Sequence, residues 1–187
     1  VCSNYRLTDV APAPAQLHDV FSAIRFLREN ASDFGINPQK VGVTGSSAGG
    51  YLAVMSAVFD SGDKRTRPNV AVGMGAQTDL LSPHIQNSTV LNWSKFMGGF
   101  YHEVPQNYLK QSPIVHLTKD DPPIAIICGE YDKPSTRANA FRKKASQLGV
   151  PTGLTEISGA PHGLLKASKH RSIAVSVLDD FFQSPSS

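Results

Sequence analysis

Several familiar signals are missing from this chain. Its 187 residues hold two cysteines, too few for a disulfide framework; Cys128 lies in the apolar run IAIICG, where it reads as a small buried hydrophobe. No stretch of about eighteen consecutive apolar residues offers a membrane-spanning helix, and no signal-peptide pattern opens the chain. Where the protein resides does not follow from that. No His/Cys/Asp cluster has metal-ligand spacing, so neither a metal nor a cofactor is implied. Internal repeats and linkers are also lacking. Charge is sparse, at 18% of residues with a formal net of +3. The densest basic cluster, Arg142-Lys143-Lys144, sits inside an amphipathic segment and reads as a solvated helix face, so no nucleic-acid partner is indicated. Val1 stands where an initiator Met would, which reads as a processed or truncated product.

What is present suits one domain with a substantial core, since 40% of residues are hydrophobic. Short β-branched runs at 40–45, 69–76, 122–130 and 152–158 read as buried strands bounded by Gly, Pro or Asn. Between them lie apolar stripes at helical spacing. One is Leu17, Val20, Phe21, Ile24 and Leu27; another is Ala138, Phe141, Ala145 and Leu148; the last is Ile173, Val177, Leu178, Phe181 and Phe182. Strand followed by helix, repeated, predicts an α/β fold with a parallel sheet covered on both faces. Residues 77–121 carry no strand and hold Trp93, Phe96, Met97, Phe100 and Tyr101 among glycines and prolines. They are expected to form a lid, a pocket wall or a partner surface, although core packing explains the aromatics equally well. The closing QSPSS reads as a frayed tail.

Chemistry first surfaces in KVGVTGSSAGGYLAVMSAV. Gly45 and Gly49 flank Ser47 at the junction of a strand and a helix, the pattern of a nucleophile elbow. An elbow strains its central residue, and β-carbons two positions to either side are expected to collide with the neighbouring strand and helix. The turn lifts the hydroxyl clear of the sheet and points the N–H of Ala48, at the helix N-terminus, toward whatever the serine attacks. The alternative is an ordinary junction with Ser46 or Ser47 as N-cap.

A serine needs a base, and the base an orienting acid. Asp132, in CGEYDKP, follows the strand at 122–130; His162, in SGAPHGLL, follows the strand at 152–158. In a parallel sheet all three turns lie at the carboxyl ends of strands along one rim. Asp79, Glu130, Asp120 and Asp121 compete for the acid's role, and Asp132 could instead cap a helix. His162 could be a plain loop histidine. None of His18, His84, His102, His116 and His170 follows a strand end in the required order.

With NYRL at 4–7, PAQLHDV at 14–20, FGINPQKVGVTGSSAGGYLA at 34–53, GEYD at 129–132 and GAPHG at 159–163, the chain resembles the α/β-hydrolase esterases. It is similar to their hormone-sensitive-lipase-like and lipase/acetylxylan-esterase-like branches. The resemblance implies an α/β-hydrolase fold with Ser47 as nucleophile, His162 as base, Asp132 as orienting acid and Ala48 as one oxyanion donor. It implies a serine carboxylesterase acting on short-chain acyl esters, acetylated sugars among them, as small-molecule partners, with a homo-oligomer open. Family members carry a His-Gly-Gly-Gly loop upstream of the NYRL strand. The chain starts three residues before NYRL, so it is expected to be the C-terminal two-thirds of such a domain, short by about a hundred residues including the opening strands. Losing one oxyanion donor costs an acyl-transfer enzyme roughly 3–4 kcal/mol. A prolyl-oligopeptidase-like peptidase and a non-catalytic hydrolase-fold binding protein are the rival expectations.

Overall fold

The computed structural model describes residues 1–87 and 91–184. Four strands form a parallel sheet in the order β1 (Gly42–Ser46), β2 (Val70–Met74), β3 (Ile124–Gly129) and β4 (Thr152–Ile157). Each lies inside its predicted run or oversteps it by one residue, the ladder beginning and ending where a neighbour can pair. Successive side chains on a strand face opposite ways, and the core divides accordingly. Ala71, Ile124, Ile126 and Cys128 join one cluster, whereas Val70, Val72, Ala125 and Ile127 join the other.

The first cluster is roofed by α1 (Ala15–Glu29), α2 (Ala48–Val58) and α8 (Asn139–Leu148), which present Leu17 and Phe21, Tyr51 and Met55, and Phe141 and Ala145. Residues 50–58 of α2 are all buried, as an apolar helix wedged between sheet and neighbours must be. A buried phenylalanine such as Phe141 contributes roughly 1.5–3 kcal/mol relative to an exposed one. The second cluster is covered by α9 (Ser168–Gln183) through Ala174 and Phe181, with Val177 and Leu178 half-buried. Ile173, taken as core from its spacing, is exposed. Helices therefore cover both faces, and the fold is that of an α/β-hydrolase.

The described residues of 77–121 hold four short helices: α3 (Pro83–Gln86), α4 (Leu91–Met97), α5 (Pro105–Lys110) and α6 (Pro113–His116). Proline opens three of them, where its fixed φ suits a first helical turn. No strand interrupts them among the described residues. The remaining short helix, α7 (Pro134–Arg137), precedes α8. Of the expected frayed tail, residues 185–187 lie outside the described residues, and Gln183 closes α9.

NYRL, expected as a strand, is not one. A strand requires a neighbour to accept its ladder, and here Arg6 turns to α1 instead. Its backbone N–H donates to Oδ2 of Asp19 at 2.8 Å, and its guanidinium grips both carboxylate oxygens. Among the described residues, β1 forms one edge of the sheet, paired with β2 alone.

Candidate active site

Ser47 occupies the single position between β1 and α2, with φ 56° and ψ −116°. A positive φ is rare for a residue with a β-carbon and costs of order 1–3 kcal/mol. Packing around it enforces the turn. A β-carbon on Gly45 would lie 2.5 Å from backbone atoms of Gly49, and one on Gly50 would lie 2.6 Å from the Met74 carbonyl oxygen. Gly49, expected to be sterically required, faces open space instead. The close approach on the helix side falls one residue later, because Gly50 is the residue that presses on β2.

The capping alternative fails on geometry. The Ser47 side chain makes no cap bond. Its Oγ lies 2.8 Å from Nε2 of His162, and Nδ1 of His162 lies 2.8 Å from Oδ2 of Asp132. An ionised carboxylate accepts and cannot donate, so Nδ1 carries the imidazole proton and Nε2 accepts from the serine hydroxyl.

The two loops that bring His162 and Asp132 together are tied to each other. After β3, residues Glu130–Asp132 form a tight turn that ends in a left-handed Lys133, φ 52°. The Tyr131 N–H donates to the Ala160 carbonyl at 3.0 Å, and a β-carbon on Gly129 would run into that same carbonyl. Asp132 is buried, at 5% exposure, and its other oxygen, Oδ1, lies 2.7 Å from Nε of Arg137.

The rival acids are occupied elsewhere. Asp79 accepts from the Leu81 N–H in its own turn, Glu130 accepts from the Gly159 N–H and the Ser158 hydroxyl, Asp121 pairs with Arg67, and Asp120 pairs with Lys119 at the surface. His116 bonds the Lys110 carbonyl, His102 stacks on Phe100, and His18, His84 and His170 sit in α1, α3 and α9. Among the described residues, no group of three or more His, Cys, Asp or Glu could hold a metal ion.

Ser47 and His162 open into a cavity of about 610 Å³. Ala48 lines it from the first turn of α2, where amides have no partner within the helix. Trp93 and Phe96 form an apolar side, with Phe96 edge-on to Tyr51 at 5.5 Å between ring centres. Tyr101 and Met97 pack into the core instead, so the aromatic stretch divides between wall and core. Burial keeps the Tyr51 phenol protonated, with its hydroxyl donating to the Gln111 carbonyl at 2.8 Å, and it pushes the Cys128 thiol beneath Asp132 up to about 12.

Three contributors were not visible in the sequence. Arg137 sits against the acid. Gly75, left-handed at φ 61°, leaves the room that Asp132 and His162 fill. Residues 5–9 also line the cavity. A cation one short helix after the acid was the available hint for Arg137; nothing local marks the other two.

This site sits in a chain whose residues 1–144 match the BD-FAE family. The chain belongs to the BD-FAE family. It is 28% identical to Esterase LipQ of Mycobacterium tuberculosis over 96% of its own length and 46% of LipQ's. Two solved structures share the fold of this BD-FAE chain. One is a truncated carbohydrate esterase from gut microbiota, at TM-score 0.80 and 24% identity, covering 98% of this chain and 72% of that one. The other is an esterase from Pyrobaculum calidifontis, at TM-score 0.79 and 22% identity, covering 97% and 64%. The BD-FAE chain spans about half the length of the curated relatives it matches, 46%, 52% and 45% for three of them. No helix among the described residues is long and apolar enough to cross a membrane.

Proposed function

We propose that this chain carries the triad of a serine carboxylesterase, with Ser47 as nucleophile, His162 as base and Asp132 as orienting acid. The supporting observation is one imidazole held at 2.8 Å from a strained serine hydroxyl on one side and 2.8 Å from a buried carboxylate on the other. Ser47 Oγ bonds to the ester carbonyl carbon as its proton passes to Nε2. The oxyanion that forms accepts from the Ala48 N–H. The carbon–oxygen bond to the alcohol then breaks, and Nε2 returns the proton to the leaving oxygen. Water repeats the sequence on the acyl-enzyme and frees the acid. Asp132 steadies the imidazolium in both halves.

Short-chain acyl esters, acetylated carbohydrates among them, are the proposed substrates. A cavity lined by Trp93 and Phe96 and also by the polar Arg6, Asp9 and Gln16 suits a small acyl group on a hydroxylated alcohol. The names of the relatives point the same way. Residues 1–187 are proposed to form one α/β-hydrolase domain, with 77–121 as a pocket wall.

The test is a fluorophosphonate probe together with p-nitrophenyl acetate and a peptide substrate, applied to the intact gene product and to Ser47→Ala. Ester turnover and labelling, both lost in Ser47→Ala, support the reading. Peptide cleavage in place of ester cleavage would favour a peptidase; no labelling of the intact product would leave a binding protein.

A further inference from the structure

We infer that Arg137 is a positioning residue that orients the Asp132 carboxylate and places a cation on the far side of it from His162. The inference builds on the reading of His162 as the base. Arg137 and His162 hold opposite oxygens of one carboxylate. Nε of Arg137 lies 2.7 Å from Oδ1, while Nδ1 of His162 lies 2.8 Å from Oδ2. The guanidinium also donates to the Asp132 backbone carbonyl at 2.9 Å and to the Gly75 carbonyl at 3.3 Å. Nε carries one proton, which goes to the Asp132 backbone carbonyl, so the guanidinium holds Oδ1 as a close ion pair while tying the backbone at Asp132 to that at Gly75, and leaves Oδ2 to the imidazole.

The second role is electrostatic. With Arg137 present, the Arg–Asp–His cluster is neutral when the imidazole is neutral and carries +1 when it is protonated. Without the guanidinium, those values become −1 and 0. Removing the guanidinium should therefore favour the protonated imidazole in the neutral variants. Side-chain exposures are 3% for Asp132 and 23% for Arg137 but 43% for His162, so solvent screens part of the effect on the imidazole. Other charged and titratable groups face His162 from the elements around it. Arg6, Asp9 and Tyr51 of α2 line the same cavity, Cys128 in β3 feels the charge of Asp132, and Glu130 and Lys166 lie on the flanking loops. All six are unchanged by a substitution at 137.

A purely structural role is separable because the backbone already clamps this loop. The Arg137 carbonyl accepts from the Thr78 N–H at 3.2 Å and from the Thr78 hydroxyl, and the Thr136 carbonyl accepts from the Gln77 amide at 3.1 Å. None of these bonds uses the Arg137 side chain.

The test is an NMR titration of the His162 ring Hε1, assigned by its loss in H162Q, in the intact gene product and in R137Q, R137K and R137M. Thermal unfolding and ester turnover are measured alongside. R137Q is expected to move the His162 midpoint to higher pH by about 1 unit, shift the acid limb of kcat/KM in the same direction, and lower kcat about tenfold. R137K restores the midpoint, since it keeps the charge, but not all of kcat, since an ammonium lacks the planar donor set that reaches the Asp132 and Gly75 carbonyls together. R137M carries the same expectation as R137Q should the glutamine variant not fold. A midpoint that stays put or falls in the neutral variants overturns the proposal. If instead the midpoints move as stated while no variant, wild type included, hydrolyses esters or takes the fluorophosphonate, the electrostatic role stands and the esterase reading falls.

Discussion

Gly75 and His162 are so close that a β-carbon on Gly75 would lie 3.0 Å from Nδ1 and 3.0 Å from Cε1 of the imidazole. It would also lie 3.0 Å from Oδ2 of Asp132, so one missing methyl makes room for the hydrogen bond between Asp132 and His162. Gly75 has φ 61°, where an alanine is strained before it touches anything. Gly75→Ala is therefore expected to cost about 1–2 kcal/mol of stability and to lower kcat by about tenfold to a hundredfold with a smaller change in KM. Steady-state kinetics and urea unfolding check both. Unchanged kcat would mean that the pair tolerates displacement.

Ser47 gives the opposite sign for stability. Its φ of 56° and ψ of −116° are open to glycine and strained for serine. Ser47→Gly should remove turnover completely and raise unfolding stability by about 1 kcal/mol, strain relief outweighing the entropy a glycine loses on folding. Ser47→Ala keeps the β-carbon and should unfold close to the wild type. Urea titration of all three decides; a Ser47→Gly variant less stable than Ser47→Ala would show that the elbow stores no strain.

How far sequence carries depends on whether a feature is local. Ser47, Asp132 and His162 each follow a β-branched run, and parallel strands in sequence order force such turns onto one rim. Their proximity could be read from spacing for that reason. Gly49 was misjudged because the collision depends on which helix residue presses on β2, and that is Gly50. NYRL, expected as a strand from the family resemblance, instead pairs with α1 through Arg6, since a ladder requires a neighbouring strand. Arg137 escaped notice because its aim follows from the left-handed Lys133 and the turn after it. Residues 5–9 and Gly75 reach the site through tertiary packing, which has no period in the chain.

Cys128 illustrates burial overriding intrinsic reactivity. Its thiol is held up at about 12, chiefly by desolvation and then by the neighbouring Asp132, whereas Cys2 is exposed. At pH 8 about one Cys128 in ten thousand would be thiolate even if a reagent could reach it. Iodoacetamide is expected to label Cys2 in the folded protein and both cysteines in denaturant, read by peptide mass spectrometry. Labelling of folded Cys128 at a rate near that of Cys2 would mean that β3 opens readily.

The Arg6–Asp19 pair gives the acid-side behaviour of the cavity wall. Asp19 is held below the ordinary carboxylate value, first by the side-chain hydrogen bonds from Arg6 and then by its backbone N–H. A carboxylate whose folded value is depressed adds stability that is fully present above its unfolded value, 3.8, and is lost as pH falls through the folded one. The pair is solvated, so the effect is modest, yet it anchors Arg6 in the stretch 5–9 that lines the cavity together with Trp93. Asp19→Asn should lower Tm at pH 7, raise KM severalfold as that wall loosens, and alter the emission of Trp93, the chain's one tryptophan. Because protonated Asp19 in the wild type resembles the asparagine, the Tm gap between the two proteins should narrow below about pH 4. A gap of equal size at pH 7 and pH 3 would show that the wall is held by shape and not by this charge.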